Sequence, residues 1–439
     1  MKHNPFIAIL TLAFLFSMAP GLTPGGTGKA WGADVTVSGE LRVRPEMREN
    51  SDFNSSNDDK SGFWGSRTRV NIGVAVDEGT SAKIVLQDAR YWGQLANNVQ
   101  SGREKEAVDI FEAYFEMKSI GESPVGIKLG RQALVYGDQR LLGHLGWQDN
   151  ARAHDALKLM IGLGSVKVDL FTAKESDPAL HTSDATHDDD LSGAYAVVGL
   201  GEGISLDVYG LLWKTASTKT NEDQSTTAIK GKNIMTYGAR LAVKAGALDA
   251  TAEAAVQSGD WADGVTQSAM AFAVTAGYKL DVLGGTRIGV EYDSGSGDDN
   301  PGDKEHKTFV FPFHTNHAHY GFMDYFSWGN MTDIAVKLST GPIVGGVALK
   351  VDYHMFSLAQ AKDSWLNVVG TADFKKAVDS STSTEAGTEI DVTLIKKMTD
   401  SWKLVAGYST FMPGKAAKDR SGGKGDASTW GYLESSFSF

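Results

Sequence analysis

The sequence predicts an all-β protein: a transmembrane antiparallel β-barrel of about eighteen strands, with long extracellular loops and short periplasmic turns. Three observations predict it. Apolar and polar residues alternate with period two along most of the chain. Short and long connections follow one another in turn. The composition combines 41% hydrophobic residues with 50 Gly, 19 Phe, 13 Tyr and 10 Trp. A barrel strand gives lipid only every second residue, so the chain stays polar on average while crossing a membrane.

The elements begin with a leader. Lys2 and His3 precede an apolar run from Phe6 to Ala19, and small residues follow as far as Ala30 to Ala33. A basic start, a short apolar centre and a small-residue site make a cleavable signal peptide. Cleavage after Ala30 puts Gly28 and Ala30 at the small positions, whereas cleavage after Ala33 would put Trp31 at one of them. Residues 1–30 are therefore read as the signal peptide and 31–439 as the barrel. No later segment approaches the ~20 consecutive apolar residues of a transmembrane helix.

The alternation that follows is that of strands with one buried face. Val35, Val37, Leu41 and Val43 oppose Thr36, Ser38, Glu40, Arg42 and Arg44. Val70, Ile72, Val74 and Val76 oppose Arg67, Arg69, Asn71 and Asp77. Phe111, Ala113, Phe115 and Met117 oppose Glu112, Tyr114 and Glu116. Met235, Tyr237, Leu241 and Val243 oppose Arg240 and Lys244. Val347, Leu349, Val351 and Tyr353 oppose Lys350 and Asp352.

Strands are expected near 34–49, 64–78, 81–91, 106–119, 123–136, 153–163, 166–174, 191–200 and 204–214. The second half adds 234–245, 247–258, 267–280, 284–293, 330–339, 344–357, 386–397, 400–412 and 428–439. The long connections include 137–152, 294–329, 358–385 and a shorter one at 259–266. Trp64, Tyr91, Trp92, Tyr136, Trp213, Tyr292, Phe356, Phe411 and Trp430 lie at strand ends beside long loops and are expected to form an interfacial girdle. Leu433, Phe437 and the terminal Phe439 share one face of the last strand, the pattern read by the barrel-assembly machinery. An open edge in hydrocarbon would leave backbone groups unpaired, so 34–49 and 428–439 are expected to pair and close the barrel.

Charge and chemistry narrow the function. The net charge of -12 becomes about -14 once Lys2 and Lys29 leave with the leader, which argues against nucleic acid as a partner. Zero Cys excludes disulfides and thiolate chemistry. No Ser stands beside a His and an orienting acid in a catalytic pattern, so no enzyme is expected. His314, His317 and His319 fall within one loop, where packing into a lid is favoured over a metal site. No metal or cofactor is expected.

The polar faces instead point to a lumen. Arg42, Arg44 and Arg48 share one face, Arg67 and Arg69 another, and Arg240 and Arg287 come from later strands. Neighbouring strands lie about 4.8 Å apart, close enough to make the first five a single patch. Guanidinium groups hold carboxylates bidentately, which suits a polyanion. Glu40, Glu46, Glu112, Glu116, Glu253, Glu291, Asp352 and Glu389 occupy the same faces, so mutual neutralisation is the competing reading.

Gly130-Arg131-Gln132, Tyr136-Gly137-Asp138-Gln139-Arg140-Leu141, Trp147 and Arg152 together resemble the alginate-export family of outer-membrane barrels. Gln87-Asp88-Ala89-Arg90 is similar to that family's third-strand pattern. The segment from Phe311-Pro312 through Thr315-Asn316-His317 to Tyr320-Gly321-Phe322-Met323-Asp324 is similar to its long seventh loop. The resemblance implies eighteen strands, the bacterial outer membrane, and a narrow arginine-lined conduit passing an anionic polysaccharide such as a polyuronate outward. It adds Arg90, Arg131 and Arg152 to the candidate substrate contacts Arg42, Arg44, Arg67, Arg69, Arg240 and Arg287. Alternation from Ile127 and Leu129 turns Arg131 toward lipid, so the resemblance requires a bulge or an inward fold there. A small-anion or general porin and a plugged docking barrel are the alternatives. Expected partners are the polysaccharide, outer-membrane lipid with lipopolysaccharide, the assembly machinery through Phe439, and periplasmic export proteins. A monomer is expected.

Overall fold

The computed structural model describes residues 27–30, 33–93, 105–176, 189–215, 217–220, 226–229, 231–370 and 383–439. Eighteen antiparallel strands form one closed barrel. They are β1 Ala33–Glu49, β2 Ser61–Ala75, β3 Thr80–Tyr91, β4 Lys105–Met117, β5 Val125–Gln132 and β6 His154–Leu163. Next come β7 Val166–Ser176, β8 Asp189–Gly201, β9 Ile204–Lys214, β10 Asn233–Ala245, β11 Leu248–Ala262 and β12 Val265–Leu280. The last six are β13 Thr286–Gly295, β14 Met331–Ser339, β15 Val347–Ser357, β16 Glu385–Lys397, β17 Trp402–Pro413 and β18 Ser428–Ser438. Each pairs with the next, and β18 pairs with β1, with Leu41 opposite Phe437 and Arg48 opposite Trp430. Closure leaves no strand edge facing hydrocarbon. The short strand Thr27–Ala30 lies antiparallel to the start of β1.

The outer face is apolar where alternation places it. Leu41, Ile84, Val208, Val256, Val290, Val336 and Phe437 are all exposed there. The inner face holds buried charges such as Arg42, Arg67, Glu253 and Glu291. Where two bulky inward side chains would collide, one neighbour is glycine. The Tyr209 ring lies across Gly238, where a Cβ would stand 2.3 Å from it, and the Tyr209 hydroxyl donates to Glu253 at 2.8 Å. Gly238→Val is therefore expected to lower stability by about 1–3 kcal/mol through overpacking. Urea unfolding in micelles followed by tryptophan fluorescence would read this; an unchanged midpoint would refute it.

Four expectations are corrected. The connection expected at 259–266 contracts to a tight turn at Asp263 and Gly264, because β11 and β12 continue pairing up to Ala262 and Val265. The strand expected at 123–136 ends at Gln132, and residues 133–153 turn inward. Phe111 does not share the lipid face with Phe115. Val85 pairs with Glu112 and Leu86 with Ile110, so Phe111 is the extra residue of a bulge and packs inside under Arg69. The aromatic girdle divides in two. Trp64, Trp92 and Tyr292 face outward at 51%, 54% and 37% exposure, whereas Phe356, Phe411 and Trp430 are at most 3% exposed inside. Tyr91 packs on Phe63 inside, and Tyr136 and Trp213 pack against the same interior core. Position beside a loop did not decide their face; parity along each strand did.

Candidate functional site

The lumen contains a folded interior. Residues 133–153, which follow β5, enter the barrel and present backbone carbonyls to the arginines of β1 and β2. The Trp147 carbonyl accepts from Arg42 at 2.9 Å and from Arg44 at 2.8 Å. The Gly146 carbonyl accepts from Arg42 at 3.2 Å and from Arg67 at 3.0 Å, and Arg67 also reaches Gln148 at 3.1 Å. Asp149 pairs with Arg42 at 2.5 Å. Arg44 stacks on the Trp147 ring at 3.8 Å. A guanidinium has five donors and no acceptor, so it suits a wall that must satisfy a loop's carbonyls.

The wall from β13 to β16 has the reverse chemistry. Carboxylates of β16 accept backbone N–H groups of the long loop: Glu389 from Met323 at 2.7 Å and Asp391 from Phe322 at 3.3 Å. Arg140, in the first half of the 133–153 segment, meets Glu291 at 2.6 Å, Asp293 at 2.7 Å and the Tyr320 hydroxyl at 3.1 Å. Lys337 adds a bond to Glu291 at 2.8 Å. Arg240 on β10 holds Asp138 at 2.6 Å and Asp207 at 3.3 Å.

The two inward segments are joined to each other. Gly143 donates to the Phe313 carbonyl at 2.8 Å and Thr315 to the Gln139 carbonyl at 2.9 Å. Between them and the wall lies an aromatic core that includes Phe309, Tyr320, Tyr325, Phe326, Trp328 and Trp365, all buried. The three loop histidines serve separate contacts. His314 faces the Val368 carbonyl at 2.7 Å and the Phe311 carbonyl. His317 meets Asp324 at 2.8 Å and is stacked between Trp147 and Phe322. His319 faces the Asp138 carbonyl at 2.7 Å.

Among the nine candidate contacts, Arg42, Arg44, Arg67 and Arg69 meet on the inner wall, with Arg42 directly opposite Arg67. Arg69 bonds Gln87 at 2.7 Å. Arg240 and Arg287 also face inward but are paired; Arg287 holds Asp249 at 2.6 Å near the periplasmic end, lying across Gly277. Arg131 and Arg90 are corrected. Arg131 keeps the parity of Leu129, faces outward, and pairs with Asp155 on β6 at 3.1 Å. No bulge intervenes to turn it inward. Arg90 lies opposite Ser66 on the outer face, where it pairs with Asp88. At Arg131 alternation was the stronger signal.

A cavity of about 440 Å³ lies beside the clamped segment. Arg44, Arg48, Arg152, Trp147, His317 and Tyr325 are among the residues that line it. Arg48 donates to the Met323 carbonyl at 2.7 Å, and Arg152 to the His314 carbonyl at 3.2 Å. Among the described residues, neither has a carboxylate within ion-pairing distance. Burial pulls the Arg152 guanidinium down to about 10, which the charge of Glu175 offsets only in part. Sequence reasoning placed Arg48 in the basic patch without assigning it a contact, quoted Arg140 in the family motif without giving it a role, and passed over the inward lysines. Lys83, Lys128 and Lys158 meet Glu112, Glu116 and Asp169 on the inner wall, and alternation alone would have placed them there.

The sequence profile of a family described as "Alginate export" matches residues 34–430. No curated protein matches the chain. Among solved structures, the fold is similar to OpdL of Pseudomonas aeruginosa, with a TM-score of 0.60 at 8% identity, covering 92% of this chain and 98% of that one. It is also similar to OpdO of the same organism, with a TM-score of 0.59 at 11% identity and coverages of 92% and 97%. OccK2 (OpdF) of the same organism, solved in complex with glucuronate, gives a TM-score of 0.56 at 11% identity and coverages of 92% and 96%.

Proposed function

Since this chain belongs to the alginate-export family and is an outer-membrane channel barrel, we propose that it passes an anionic polysaccharide of the polyuronate class outward by passive diffusion. The observation that carries this reading is the cavity in which Arg48 and Arg152 stand without a carboxylate partner. Arg42, Arg44, Arg67, Arg140, Arg240 and Arg287 are committed to the inward segment or to acids on the wall, and Arg69 bonds Gln87. A uronate carboxylate entering the cavity would supply the missing anion in a bidentate geometry. A barrel of similar fold, OccK2, was solved in complex with glucuronate, a monomer of the same chemical class.

The polymer and the driving force come from periplasmic export partners in this reading, and the interior segments move aside when polymer arrives. A second reading, a plugged docking barrel, is favoured by the buried aromatic core. Planar-bilayer recording separates the two. The export reading expects an anion-selective conductance blocked by added polyuronate. Arg48→Gln with Arg152→Gln should raise the half-blocking concentration by about tenfold, the loss of one strong charged contact. Unchanged block in the double variant would refute the site, and a barrel that never conducts would favour docking.

A further inference from the structure

Charges on the outer face of the barrel are unevenly placed. At the extracellular ends of β5 to β9, strand register sets five of them side by side in one row. Arg131 lies opposite Asp155, Asp155 opposite Lys174, Lys174 opposite Asp190, and Asp190 opposite Lys214. Their sequence neighbours Gln132, His154, Ala173 and Leu191 are buried on the inner side, so the row faces outward. The next outward row toward the periplasm reads Leu129, Leu157, Thr172, Ser192 and Leu212. The row below that reads Ile127, Leu159, Leu170, Ala194 and Gly210. Across the barrel, the corresponding edge of β13 to β15 is Ser294, Thr332 and Ser357, with no charge.

Two ion pairs form within the row: Arg131 with Asp155 at 3.1 Å and Lys174 with Asp190 at 2.8 Å. Lys214 has no ion-pair partner among the described residues, so the row keeps one net positive charge. Between the lysines lies a recess of about 270 Å³ lined by Thr172, Lys174, Asp190, Ser192, Leu212 and Lys214. Beside it, Leu129, Asp155, Leu157 and Lys174 border a second recess of about 320 Å³. The Thr172 and Ser192 hydroxyls stand 3.0 Å apart at the floor of the first. Lysine on the lipid face is costly at mid-membrane and tolerated at headgroup level, where an anion meets it.

We propose that the recess between Lys174 and Lys214 is a binding site for a phosphate of a lipopolysaccharide headgroup in the outer leaflet. Lys214 supplies the unpaired charge and Thr172 and Ser192 supply hydroxyl donors. Asp190 is engaged by Lys174. The acyl chains lie over Leu157 and Leu212 and the Leu159 and Leu170 row below them.

Native mass spectrometry of the intact barrel in detergent, titrated with lipopolysaccharide, tests this. The wild type should keep one bound molecule through gas-phase release. Lys174→Gln with Lys214→Gln should raise the half-saturating concentration by about tenfold. Lys214→Gln alone breaks no ion pair, so it reads the same contact if the double variant folds poorly, with about a threefold weakening. Dephosphorylated lipopolysaccharide should bind the wild type as weakly as the intact lipid binds the double variant. Lys415→Gln with Lys424→Gln removes the same charge from an exposed loop and should bind like wild type. Wild-type affinity in Lys214→Gln, equal binding of the dephosphorylated lipid, or equal weakening by the loop variant would each overturn the proposal.

Discussion

Arg140→Ala is expected to open the lumen. Arg140 is the point at which the inward segment 133–153 meets the acidic wall, and it is buried with Glu291 at 2.6 Å and Asp293 at 2.7 Å. Alanine would leave Asp293 buried without a cation and would free the Tyr320 hydroxyl that Arg140 also binds. Removing one partner of a buried ion pair costs about 3–5 kcal/mol, because the remaining charge keeps its desolvation penalty and loses its compensation. The barrel wall does not depend on this contact, since every strand keeps its own ladder. The cost therefore falls on docking of the segment, and the segment should leave the lumen for much of the time. Single-channel recording should show long openings of larger conductance than in the wild type. Arg140→Lys should fall between the two, since an ammonium cannot span both carboxylates in a planar fork. Wild-type traces from Arg140→Ala would show that the interior is held elsewhere, by the Arg42, Arg44 and Arg67 clamp.

How much of this was legible in the sequence follows from which forces act locally. Strand number, closure and the lipid face are written in period-two alternation, because lipid imposes one rule on every second residue. The inner face obeys no such rule. An arginine there satisfies alternation whether it meets water, a wall carboxylate or a loop carbonyl, so Arg42 and Arg67 were placed correctly while the Trp147 and Gly146 carbonyls beneath them were not foreseen. The inward turn after Gln132 depends on contacts with Glu291 and Phe313, more than 150 residues away along the chain. Phe356 and Phe411 show the same limit. Their neighbouring loops suggested an interfacial girdle, yet their parity puts them in a core that exists only because 309–328 folds inside. At Arg131 the local rule was sufficient, and the family motif pointed the other way.

Acidification is expected to loosen the same interior through His314. Its ring is fully buried, facing the Phe311 carbonyl on one side and the Val368 carbonyl at 2.7 Å on the other. It thus joins the long loop to residues 367–370. Burial and the nearby Arg152 guanidinium push its pKa down to about 4, and the two carbonyls offset this only in part. Once the loop is released, the ring returns to about 6.5. Between those values the released state binds a proton that the docked state does not. Docking is therefore complete above about pH 6.5 and weakens as pH falls toward 4, by about 3 kcal/mol at the lower limit. His144 and His319 are also held below their ordinary values by burial, so they add in the same direction. His306 is likewise pushed down to about 4, but it stacks on Trp261 at the end of β11 and affects the outer rim rather than the interior. Open probability should rise several-fold between about pH 7 and about pH 4.5 in the wild type. In His314→Gln, which keeps one donor for a carbonyl and cannot titrate, most of that rise should disappear. An equal rise in the variant would move the acid response away from this latch and onto other protonatable links between loop and wall, such as Glu291 and His319, in contact at 3.7 Å.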